Sequence, residues 1–205
     1  MSKHNQCLST DPSEKKSRCL RSQQTENSLS APKLDDLDLD SNKIQRISSN
    51  FFNQNRNLQN LKKLVISNNV LQKFDIDSLP LSIEAINLSK NKISRLVWDG
   101  SLANPDLKFY GNLSNLVLSN NRLSVQNDFS FLRKFPNLAE LDIEHNQLEQ
   151  LNLNLVEYSG EDLASQTTSG LTIKASNNQI DWLSKKNLGS GASKIISLDL
   201  QKNNL

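Results

Sequence analysis

The sequence predicts a solenoid of stacked coils built on short parallel strands, and three observations lead there. The spacing L-x-x-L-x-L-x-x-N-x-L recurs seven times between residues 34 and 205, and self-similarity at a period of 20 to 50 residues is how a repeat architecture declares itself. An asparagine holds the ninth position of every repeat. The five prolines and all the aromatic residues fall outside the seven repeats, as strands paired on both sides require of proline.

The repeats follow in order along the chain. The first is carried by Leu34, Leu37, Leu39, Asn42 and Ile44, the second by Leu61, Leu64, Ile66, Asn69 and Leu71. The third uses Ile83, Ile86, Leu88, Asn91 and Ile93, and the fourth Leu113, Leu116, Leu118, Asn121 and Leu123. Leu138, Leu141, Ile143, Asn146 and Leu148 make the fifth. The sixth is degenerate, with Gly170 and Ala175 replacing aliphatics around Ile173, Asn178 and Ile180, and the seventh is Ile195, Leu198, Leu200, Asn203 and Leu205. Successive asparagines lie 27, 22, 30, 25, 32 and 25 residues apart, so the coils are not of one strict length.

Each position has a physical reason. In an extended L-x-L the side chains alternate, so both aliphatics enter the core and the residue between them faces out. The backbone then turns, and its peptide groups cannot all pair with the next strand. A buried asparagine offers a carbonyl acceptor and amide donors together, so one side chain can satisfy its own turn and the adjacent coil. Asn42, Asn69, Asn91, Asn121, Asn146, Asn178 and Asn203 are therefore expected to form a buried column, with Asn68, Asn120 and Asn177 at the surface. Phe51, Phe52, Phe74, Phe129, Phe131 and Phe135 are expected to fill the core behind the sheet.

With these residues the chain resembles the leucine-rich-repeat family, intracellular type, over 34–205. The resemblance implies an α/β fold, a right-handed solenoid with a concave parallel β-sheet and irregular turns or short helices on the convex side. It also implies a protein-protein interaction module, acting as scaffold, adaptor or recognition subunit. Two alternatives come with it. "LPLSIEAINLSKNKI" is similar to bacterial repeats of secreted effectors that act on host proteins, and other members are structural subunits of ribonucleoprotein or cytoskeletal complexes.

A solenoid presents its sheet face to partners. The outward residues of the first coil are Asp36, Asp38 and Asp40, and those of the fifth are Glu140, Asp142 and Glu144. Lys63, Val65, Asn87 and Val117 lie on the floor between them, and four strand spacings put the two acidic groups roughly 20 Å apart. A protein partner with basic side chains at both ends and an apolar group over Val65 and Val117 would fit this face. The competing reading is that the acids only keep the sheet soluble. The face lacks aromatic platforms for stacking bases, so nucleic acid is not expected there. The 153–169 loop, with Tyr158, Glu161 and Asp162, is a second candidate contact.

The remaining composition narrows the classes. His145 is the only histidine of the repeat region, so neither a catalytic group nor a metal or cofactor site is expected. "NLGSGASK" at 187–194 lacks the spacing of a phosphate loop. Residues 1–32 read as a polar tail, disordered or forming a short capping helix from Asp11 and Pro12, and 33–205 as the repeat domain. Cys7 and Cys19 are the only cysteines and both lie in the tail. No apolar segment resembles a signal peptide or a membrane span, so a cytoplasmic or nuclear protein is expected, with secretion tied to the effector alternative. Leu205 closes the last repeat with no polar cap, which implies either that the natural chain continues or that two copies associate through that end.

Overall fold

The computed structural model describes residues 33–98, 110–124, 129–151, 170–182 and 195–205. The tail, the 153–169 loop and the 187–194 segment lie outside them. Nine strands are built from the described residues: β1 (Asp36–Asp38), β2 (Lys63–Val65), β3 (Lys73–Asp75), β4 (Ala85–Asn87), β5 (Arg95–Val97), β6 (Asn115–Val117), β7 (Glu140–Asp142), β8 (Leu171–Lys174) and β9 (Ile195–Asp199). One parallel sheet runs β1-β2-β4-β6-β7-β8-β9. Behind it β3 and β5 make a second parallel sheet of two strands.

The register follows the repeat spacing. Leu37, Leu64, Ile86, Leu116, Leu141 and Ile173 are successive partners across the large sheet. All six are buried, which sets every intervening residue on the open face because side chains alternate with period two. Phe52, Phe74, Phe129, Phe131 and Phe135 are buried behind the sheet and Phe51 is partly buried against them. Fully burying each such side chain contributes about 2 kcal/mol of hydrophobic stabilisation.

The architecture corrects the leucine-rich-repeat horseshoe expected above. Among the described residues no helical layer alternates with the strands. Among the described residues the only α-helix is Phe51–Gln54, and the other helical pieces are 3-10 turns at Arg56–Leu58, Ile76–Ser78 and Phe129–Lys134. The fold is a parallel β-solenoid of the β-helix kind, with sheet on two of its sides. The reason is readable in the return segments. In "LQKFDIDSLP" the apolar Phe74 and Ile76 alternate with Asp75 and Asp77, a period-two pattern that suits a strand, and Pro80 follows at once. Asp75 then accepts a 3.0 Å bond from the Asp77 amide and starts a 3-10 turn, leaving no length for a helix.

The degenerate sixth repeat also has a structural cause. A Cβ on Gly170 would lie 2.2 Å from the Ile196 side chain, so no residue with a side chain fits at 170 unless Ile196 moves. The pairing shifts there, with Leu171 opposite Ile195 and Thr172 opposite Ser197. Ile196 is bulged out and 73% exposed.

Candidate functional site

The asparagines after each strand of the large sheet are held in a continuous column. Asn121 donates to the carbonyls of Leu118 and Ser119 in its own turn and of Leu88 in the preceding coil, at 2.9, 3.3 and 3.0 Å. Its Oδ1 accepts from the Ile93 amide at 2.9 Å. Asn69, Asn91, Asn146, Asn178 and Asn203 repeat the pattern, their Oδ1 atoms accepting from Ile44, Leu71, Leu123, Leu148 and Ile180. Asn42, in the first coil, bonds its own Leu39 and Asp40 carbonyls.

The residue before each column asparagine has a role that the sequence reading missed. Ser41, Asn68, Lys90, Asn120, His145, Asn177 and Lys202 all have φ between 52° and 57°. This left-handed region admits asparagine and strains other side chains, most of all β-branched ones. The pair "NN" thus assigns one asparagine to the turn and one to the column. Replacing His145 by valine is expected to cost about 1 to 2 kcal/mol, whereas His145→Asn should leave the urea unfolding midpoint within error of the parent.

The column and its turns fix the open face in front of them. Asp36, Lys63, Ala85, Asn115, Glu140 and Thr172 form one row across the sheet, and Asp38, Val65, Asn87, Val117, Asp142 and Lys174 the next. Asp40, Ser67 and Glu144 lie just beyond the strand ends. The two acidic groups are four strands apart, at either side of a floor containing Val65, Asn87 and Val117.

Most of these carboxylates are anchored. Asp40 accepts from Ser41, Ser67 and Asn68, and those bonds, aided by the nearby Lys90, lower its pKa to about 2. Glu140 is bonded by Lys174 and, at 3.0 Å, by the Asn115 amide. The Glu140 carboxylate in turn raises the pKa of Lys174. Glu144 accepts from Ser176. Lys174 was not among the residues singled out from the sequence, although it is the outward residue between Ile173 and Ala175. It reduces the negative charge of the second acidic group.

Asp38, Asn87, Asp142 and Asp199 share a further task. Each accepts, through Oδ1, a bond of 2.8 to 3.0 Å from the amide two residues on. These Asx turns close the strand ends, which explains aspartate or asparagine at this outward position independently of any partner. Asp36 and Asp38 are exposed, and Lys63 lies beside them.

Among the described residues no cluster of three or more His, Cys, Asp or Glu side chains could hold a metal ion. No described helix is long and apolar enough to cross a membrane.

No protein-family model and no curated protein matches this chain. Among solved structures it is similar to the crystal structure of the leucine-rich repeat domain of APL1B, with 21% identity and a TM-score of 0.52. The match covers 84% of this chain and 48% of that one, so the chain spans about half the length of its structural relative. A likeness at this identity concerns the path of the backbone alone. The leucine-rich-repeat membership implied by the motif is therefore corrected: what the chain possesses is a parallel β-solenoid with an asparagine column.

Proposed function

We propose that this chain is a protein-interaction module that works by binding, without a reaction of its own, and that its partner contacts the open face of the large sheet. The observation carrying this reading is the pre-ordered carboxylates at both ends of that face. Asp40 and Glu140 are each held by neighbouring side chains, so less freedom is lost when a partner meets them than for loose side chains. A partner with basic groups near Asp36, Asp38 and Asp40 at one end and Asp142 and Glu144 at the other, and an apolar group over Val65 and Val117, satisfies the surface. A cytoplasmic or nuclear setting belongs to the same proposal.

The test must remove charge and keep the Asx turns. Asn at 38 and 142 retains an Oδ1 acceptor, so the Asp38→Asn/Asp142→Asn variant should fold like the parent. In quantitative affinity capture from cell lysate, the proteins enriched by the parent should fall about tenfold with the variant, the equivalent of 1.4 kcal/mol. Equal recovery by parent and variant would show that the acids serve solubility only.

A further inference from the structure

A second charged surface lies on the flank of the coils just past the asparagine column. The residue after the column asparagine is Lys43, Lys92 and Arg122 in coils one, three and four, and the residue three further on is Arg46, Lys73 and Arg95 in coils one to three. All six side chains are exposed. The amide of Lys92 bonds the Leu71 carbonyl and that of Arg122 bonds the Ile93 carbonyl, both at 2.9 Å. These bonds stack the coils about 4.8 Å apart; Arg46, Lys73 and Arg95 occupy three successive coils, and Val70 interrupts the other row between Lys43 and Lys92.

Lys73 and Arg95 are direct register partners in the small sheet, and like charges facing each other across strands are destabilising. None of the six forms an ion pair among the described residues. The charge is also local. The same two positions are Gln147 and Gln150 in coil five, and Gln179 and Trp182 in coil six.

We infer that this flank is a docking site for an extended acidic segment of a protein partner. The dimensions select that occupant. The two rows are three residues apart along an extended chain, a band of about 10 Å. Along the chain Asp40 comes three residues before Lys43 at one edge, and Asp75 two residues after Lys73 at the other. A narrow chain of carboxylates lies between these acids, whereas a nucleic-acid duplex or a flat anionic bilayer would be pressed against them. The band holds no aromatic residue for base stacking. The surface is separate from the open sheet face, so this inference stands or falls apart from the function proposed above.

The probe is a short labelled Glu/Asp-rich peptide, titrated with the full chain at low salt and followed by fluorescence anisotropy. The Lys92→Glu/Arg95→Glu variant should bind about tenfold more weakly. The Lys202→Glu variant, at the far end of the solenoid, should bind like the parent. If the first variant's unfolding midpoint falls, Lys92→Gln/Arg95→Gln replaces it and should still bind several-fold more weakly. Undiminished peptide binding by the charge-altered chain would overturn the inference. Equal loss in Lys202→Glu, or tighter binding of a DNA duplex or phosphatidylserine vesicles than of the peptide, would do the same.

Discussion

Replacing Asp77 by alanine is expected to destabilise the protein by about 3 kcal/mol, because it strands a charge in the core. Lys134 is only 2% exposed, and its ammonium is paired with Asp77, itself 27% exposed. The ammonium also lies 5.7 Å from the centre of the Trp98 ring. Beside it Tyr110 is buried, its hydroxyl donating to the Ile76 carbonyl at 2.8 Å, and burial raises its pKa. Removing one partner of a buried ion pair costs about 3 to 5 kcal/mol, whereas replacing both with apolar groups of similar volume is often neutral. The partial exposure of Asp77 argues for the lower end of that range. Asp77→Leu/Lys134→Met should accordingly recover most of the loss in urea unfolding. A single variant as stable as the parent would mean that water reaches the ammonium and the pair holds nothing together.

Asn121→Ala should be the next most damaging change. It removes the partner of the Ile93 amide and of the Leu88, Leu118 and Ser119 carbonyls at once. Leaving buried polar groups unsatisfied costs about 1 to 3 kcal/mol, and several groups here place the expectation near 3 kcal/mol. Asn120→Ala is the matched control. Asn120 is exposed and contributes a left-handed turn, so its loss should cost about 1 kcal/mol. Unfolding midpoints that rank the two in the reverse order would place the wrong asparagine inside.

The sequence was informative where chemistry allows one solution. An asparagine flanked by alternating aliphatics marks both its burial and the direction of the neighbouring side chains, since only a short amide can serve a turn and the next coil together. The large sheet is legible for that reason. The far side was not, because short apolar segments such as "FDI" suit a strand, a turn or one turn of helix, and family resemblance inclined the reading toward helices. The structure puts strands there. Likewise Asp38 and Asp142 looked like partner-facing acids from charge alone. Their second identity as Asx-turn acceptors depends on the geometry of the amide two residues on. Lys174 went unnoticed because its repeat lacked the usual aliphatics, and Lys134 because a lysine beside phenylalanines reads as solvated until its carboxylate is located two coils away along the sequence.

The unequal spacing of the asparagines has a consequence for how such a chain can change. Every column residue after Asn42 reaches back one coil whether 22 or 32 residues separate it from its predecessor, so the stacking of the repeats does not depend on the length of chain between them. Insertions and deletions can therefore accumulate between the repeats without disturbing the spacing of the side chains on the sheet. The protein can lengthen its loops and still offer an unaltered ruler.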